Sequence, residues 1–228
     1  MHSLLLLHGA IGAQSQLAPL AALLAGSYDV HTLNFSGHGG EAIPLHPFSI
    51  EAFAEDVIKY IEEKSLAQVS IFGYSMGGYV ALYLAKHHPE KIDKIVTLAT
   101  KYHWDEAIAA KEVQTLNADK IEAKVPAFAN TLKERHLPQD WKEVLIKTAE
   151  MMNSLGRYNT LQVEDYASIT TPALLLLGDR DKMVSIEETL NVYKSLTAAQ
   201  MGILPNTAHP IEQVDQDLLS YFIKRFIR

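Results

Sequence analysis

The chain has 228 residues, 20 basic against 27 acidic, a formal net charge of -7 and no cysteine. That length suits one large domain, or one domain carrying an insertion, and the 48% hydrophobic content fills a sizeable core. Scattered Lys and Arg leave nucleic acid no basic face to bind, and the missing cysteines exclude disulfides, thiolate metal sites and thiol nucleophiles.

Short apolar runs alternate with longer amphipathic ones, the pattern of a parallel sheet covered by helices on both faces. The first run, Ser3–Leu7, is read as a buried strand: it lacks preceding basic residues and is too short for a secretion signal. No stretch approaches the roughly 18 apolar residues of a membrane span, and a cytoplasmic location is expected. His8-Gly9-Ala10 follows this strand, where a glycine lets the backbone pass close to a ligand and the Ala10 amide can face it. A helix is predicted near Gln14–Ala25, a strand at Val30–Asn34, and a second helix over Ser49–Ser65 with Ser49 as its N-cap.

The apolar run Val69–Phe72 leads into Gly73-Tyr74-Ser75-Met76-Gly77, and a helix is predicted over Met76–His88, with Pro89 as its stop. A G-x-S-x-G pattern at a strand-to-helix junction holds a serine hydroxyl clear of the backbone, on a turn so sharp that its neighbours must be small. The amide of Met76, in the first turn of that helix, pairs with that of Ala10 as a two-donor oxyanion hole. A fourth strand is predicted at Lys94–Leu98. From about His103 to Asp165 no strand-like run occurs, and three or four helices are read there, an insertion between sheet strands. Residues 1–102 and 166–228 are assigned to the core and 103–165 to this helical lid. Most apolar residues of the insert are assigned to its packing face, and His103, Trp104, Phe128 and Met151 to a substrate pocket.

The strand Ala173–Leu177 is followed by Gly178-Asp179-Arg180-Asp181, in which two carboxylates compete to orient a base. Asp181, deeper in the loop, is favoured over Asp179. Ser185 with Glu188 reads as a capping box opening a helix over Ser185–Leu196. The last strand, Gln200–Leu204, precedes His209, which stands before Pro210 at the head of a helix over Pro210–Ile227. Among ten histidines, only His209 both follows the acid loop and lies beyond a strand end. Ser75, Asp181, His209 is the triad order of strand-borne serine hydrolases.

Over essentially its whole length the chain resembles the α/β-hydrolase fold superfamily. The likeness rests on His8-Gly9, on Gly37-His38-Gly39, on Ser49-Ile50-Glu51 running into Asp56-Val57, on Gly73 to Gly78, on Gly178 to Asp181 and on His209. It implies a Ser75 nucleophile, a His209 base, an Asp181 acid, an oxyanion hole from the amides of Ala10 and Met76, and a helical lid. Two departures stand out. The chain starts at the strand carrying the HG motif, which predicts a trimmed α/β sheet of about six strands, mostly or wholly parallel. Asn34 replaces a common Asp whose role is structural.

Competing readings lack their motifs. The G-x-G-x-x-G of a nicotinamide-dependent dehydrogenase is missing after the first strand, and Tyr60 with Lys64 matches a dehydrogenase spacing only by coincidence. A phosphate-binding loop needs Lys-Ser or Lys-Thr after its last glycine, where Gly78-Tyr79 stands. His87-His88 is not a metalloprotease H-E-x-x-H. Superfamily members that open epoxides or displace halide use a carboxylate at the elbow, against Ser75. What is expected is a cofactor-free and metal-free serine hydrolase for a small, fairly apolar ester. Thioesterase, lactonase and C–C bond hydrolase chemistry, and a receptor that retains the triad, stay open.

Overall fold

A computed structural model describes residues 1–228. Six strands form one sheet in the order β2-β1-β3-β4-β5-β6: β1 Ser3–Leu7, β2 Asp29–Thr32, β3 Val69–Tyr74, β4 Ile92–Leu98, β5 Ala173–Gly178 and β6 Ala199–Leu204. Every neighbouring pair is parallel. The inner strands β1, β3 and β5 are buried nearly throughout because both faces are covered, whereas edge strands β2 and β6 stay partly exposed. Leu5, Leu7, Ile71 and Ile95 enter one core, while Leu4, Leu6, Phe72 and Val96 enter the other.

The first core is closed by α2 (Ile50–Glu63), α3 (Met76–His87) and α9 (Ile186–Ser195), the second by α1 (Ala18–Leu24) and α10 (Gln216–Phe226). Helix α3 is buried on almost every side, from Met76 through Ala85, which accounts for its weak amphipathic pattern. Between β4 and β5 lie α4 (Glu106–Val113), α5 (Ala118–Lys124), α6 (Pro126–His136), α7 (Trp141–Arg157) and α8 (Val163–Ser168). Helix α8 straddles the expected lid boundary at residue 165. Ile121, Ala129, Leu132, Trp141 and Leu145 form a small core of their own, while Val144, Met151 and Leu155 join the main one. The inserted helices are thus anchored to the sheet unit through α7.

The differences from the predicted elements have local causes. Strand β2 ends at Thr32, because the Asn34 side chain is drawn into the next loop: its Oδ1 accepts from Gln14 N–H at 2.8 Å and its Nδ2 donates to Gly39 O at 3.1 Å. The predicted first helix opens with a 3₁₀ turn over Gln14–Leu17. Ser49 caps α2 as predicted, accepting from Ala52 N–H. Ser185 Oγ accepts from Glu188 N–H, but the Glu188 carboxylate does not close a capping box; it takes the N–H groups of Tyr102 and His103 at 2.6 and 2.7 Å. Pro210 does not start a long helix. It precedes a short 3₁₀ turn, Ile211–Gln213, and α10 begins only at Gln216, capped by Asp215. No helix is long and apolar enough to cross a membrane.

Candidate functional site

Strand β1 lies between β2 and β3, so the chain runs outward to one side and then crosses back, opening a crevice beyond the strands' carboxyl ends. Leu7 pairs with Gly73 and Gly178 with Leu204, which brings the residues following β1, β3, β5 and β6 to one rim.

Ser75 sits at that rim with φ 51° and ψ -116°, a strained conformation for a residue with a Cβ. Several contacts impose it. Ser75 N–H donates to Leu98 O at 2.8 Å, and its carbonyl accepts from Gly78 N–H and from Thr100 Oγ1, both at 3.0 Å. The turn tolerates no bulk: a Cβ at Gly77 would lie 2.6 Å from Leu7 O.

Ser75 Oγ is 3.3 Å from His209 Nε2, and His209 Nδ1 is 2.8 Å from Asp181 Oδ2. The carboxylate can only accept, so Nδ1 carries the proton and Nε2 offers its lone pair to the serine. The Asp181 side chain is fully buried. Burial pushes its carboxyl up, but the His209 hydrogen bond and charge, with the Val184 and Met183 amides, outweigh that and hold it below the usual carboxylate range. Asp179 does not reach the histidine: its Oδ1 accepts from Thr207 N–H at 3.1 Å, stitching the two loops together. The Tyr74 hydroxyl donates to His209 O at 3.0 Å, tethering the histidine's backbone to β3.

The amides of Ala10 and Met76 have no acceptor within the protein, and both residues line the cavity beside Ser75. Met76 is the first residue of α3, where N–H groups are left unpaired and the helix dipole is positive. The loop carrying Ala10 is braced from beneath. His8 Nδ1 donates to Gly9 O at 2.8 Å and its Nε2 accepts from Phe35 N–H at 3.2 Å. His136 of α6 accepts from Gly39 N–H on Nδ1 and donates from Nε2 to Ile11 O, both at 3.1 Å. Arg135 Nη1 donates to the same Ile11 carbonyl at 3.0 Å. His8, His38 and His136 form a chain of rings with centroids 5.4 and 5.9 Å apart. Burial lowers His8 and His136 to about 4 and His38 well below the ordinary histidine value, so all three are neutral at pH 7.

A mostly apolar cavity of about 330 Å³ opens over Ser75 between the rim and the inserted helices. Of the pocket residues expected from sequence, Trp104, Phe128 and Met151 line it. His103 does not: its side chain is 64% exposed, turned toward Asp105 at 3.6 Å, because Glu188 holds the backbone on the inner side. Sequence reasoning passed over Tyr74, Glu112, Arg135 and His136. Tyr74 stands inside the elbow motif, where only the fold shows its hydroxyl reaching His209; the other three are isolated residues of common types, and only the packing of α4 and α6 shows which faces turn inward. No cluster of three or more His, Asp or Glu side chains is arranged to hold a metal ion.

The sequence pattern described as alpha/beta hydrolase fold matches residues 2–140. The chain belongs to the alpha/beta hydrolase fold family. It is 24% identical over 239 residues to a putative esterase/lipase of Haemophilus influenzae, a match spanning 98% of this chain and 82% of that protein. It is 25% identical over 226 residues to a pimeloyl-[acyl-carrier protein] methyl ester esterase of Neisseria meningitidis, covering 90% and 85% of the two chains. The enol-lactonase of Burkholderia xenovorans superposes with a TM-score of 0.80 at 20% identity, over 99% of this chain and 91% of that one. These relatives place the protein among the hydrolases of this fold.

Proposed function

We propose that this protein is a serine hydrolase that cleaves a small, fairly apolar carboxylic ester or related acyl compound through an acyl-enzyme. One observation carries the reading: Ser75, His209 and Asp181 form an unbroken hydrogen-bonded series at the floor of an apolar cavity, beside two unpaired amides. In this reading His209 Nε2 takes the Ser75 proton as the oxygen attacks the acyl carbon. Negative charge on the former carbonyl oxygen falls between the amides of Ala10 and Met76, where each donor is worth about 3–4 kcal/mol of barrier. His209 then protonates the leaving alcohol, and water repeats the cycle on the acyl-enzyme. Asp181 stabilises the transient imidazolium and keeps the proton on Nδ1. The helices over residues 103–165 act as the lid, with Trp104, Phe128 and Met151 as its contribution to the substrate wall.

The esterase names of the Haemophilus and Neisseria relatives support ester chemistry here. The test is a panel of p-nitrophenyl esters of graded chain length, with fluorophosphonate labelling. Ser75→Ala is expected to lower kcat/KM at least about 10³-fold and to abolish labelling. Turnover within tenfold of the parent would move the nucleophile elsewhere.

A further inference from the structure

The cavity wall contains four charged side chains besides His209, and three of them are engaged. Lys101 Nζ donates to Met183 O at 2.8 Å and lies 3.6 Å from Glu188 Oε2. Arg135 reaches Ile11 O and, at 3.5 Å, Glu212 Oε1, and Glu212 also accepts from Gln16 Nε2 at 2.6 Å. The fourth is Glu112. It lies on the inward face of α4 beside Ala109, only 5% exposed, and its carboxylate has neither a hydrogen-bond donor nor a cation from the protein. Its oxygens are not sealed inside the protein, and the residue is part of the cavity wall.

A carboxylate in this position is costly, because burial removes water without supplying a partner. A Leu at the same place on α4 would pack without that penalty. A cation inside the cavity would compensate the charge, and the Trp104 ring on the same wall already has the Lys101 ammonium 6.0 Å from its centroid, so Glu112 is the one charged group there left for a ligand. We propose that Glu112 anchors a protonated amine of the substrate, so that the preferred esters carry a cationic nitrogen held against the inserted helices while the acyl carbon lies at Ser75. This rests on the serine-hydrolase reading and narrows it to aminoacyl or aminoalkyl esters. A neutral hydroxyl would supply one hydrogen bond but leave the charge uncompensated, which separates the two ligand chemistries.

The experiment compares kcat/KM for ester sets matched in length, ending in an ammonium, a hydroxyl or a methyl group. One set carries the group on the acyl chain of a p-nitrophenyl ester, and the other on the alcohol of an acetate ester, so the two arms tell which side of the ester lies against Glu112. At neutral pH the ammonium ester of one arm is expected to exceed its methyl counterpart at least tenfold. That ratio collapses to about one in Glu112→Gln and below one in Glu112→Leu, while Glu106→Gln, on the exposed side of α4, leaves it unchanged. A parent that shows no preference, that prefers the hydroxyl ester equally, or that keeps its preference in Glu112→Gln overturns the proposal. Continued cleavage of methyl-ended esters and labelling of Ser75 would then leave the serine-hydrolase reading standing. If no ester is cleaved, calorimetry of Ser75→Ala with n-hexylammonium decides: saturable binding weakened at least tenfold by adding Glu112→Gln supports the anchor, and its absence refutes it.

Discussion

Asp179 and Asp181 are two residues apart on one loop, yet their carboxylates do different work. Asp181 accepts from the His209 ring and from two backbone amides, whereas Asp179 accepts from the Thr207 amide. Replacing the first carboxylate by an amide would present an N–H to the imidazole and favour the wrong tautomer. Asp181→Asn is therefore expected to lower kcat about 10³–10⁴-fold, with the protein still folded. Asp179→Asn keeps an acceptor for Thr207 and is expected to cost less than tenfold. Steady-state kinetics on one ester, with circular dichroism as the folding control, checks the pair; the reverse order would reassign the acid. Sequence placed both carboxylates at the right strand end but could only favour one by its depth in the loop. The direction each side chain takes depends on Thr207 and His209, residues nearly thirty positions away.

At the scale of the elements, the junction between β3 and α3 is where sequence and structure agree most closely. Gly73, Gly77 and Gly78 stand where backbone or side-chain atoms of other elements press in, so their absence of a Cβ is a packing requirement. Gly77→Ala would drive a methyl group against the carbonyls of Leu7 and His8, at 2.6 and 2.7 Å. It is expected to destabilise the fold by at least about 2 kcal/mol and to distort the loop that carries Ala10. Gly26 meets nothing within 4 Å, and Gly26→Ala is expected to stay within about 0.5 kcal/mol of the parent, or to stabilise it slightly. Thermal unfolding of both variants tests the contrast. The ends of elements were less legible. Pro210 looked like a helix start, but the Tyr74 tether on His209 and the 3₁₀ turn behind it delay α10 to Gln216. Glu188 looked like half of a capping box, but the amides of Tyr102 and His103 claim its carboxylate.

Across the whole molecule, the buried histidines join three separate segments: the loop after β1, the glycine-rich loop at Gly37–Gly40, and α6 of the inserted helices. Folded, His8 and His136 take up protons only near pH 4; unfolded, they do so near the ordinary value of 6.5. Between these values the unfolded chain binds more protons, so stability falls as the pH falls. The contribution of the neutral rings is complete above about pH 6.5 and is progressively lost toward pH 4. For His8 alone the loss is about 3 kcal/mol by pH 4, a large part of an ordinary folding free energy. Urea unfolding at pH 7, 6 and 5 is expected to show a steadily falling midpoint, less steep in His136→Gln. A midpoint constant over that interval would mean that the rings are not held neutral.

The strand runs, the G-x-S-x-G junction, the HG motif and the chain order of Ser75, Asp181 and His209 are local or one-dimensional signals. The sequence by itself was therefore enough for the parallel six-stranded sheet with helices around it, and it singled out the candidates Ser75, Asp181 and His209. The double-sided burial of β1, β3 and β5 follows from their apolar runs, and the elbow follows from glycines that only a sharp turn requires. Which histidine or glutamate faces inward is another matter, because a side chain's direction on α4 or α6 depends on what the helix packs against. The exposure of His103, the service of His136 and Arg135 to the loop after β1, and the unpaired Glu112 in the cavity all belong to that class. They arise from contacts between segments far apart in the chain, and only the tertiary structure decided them.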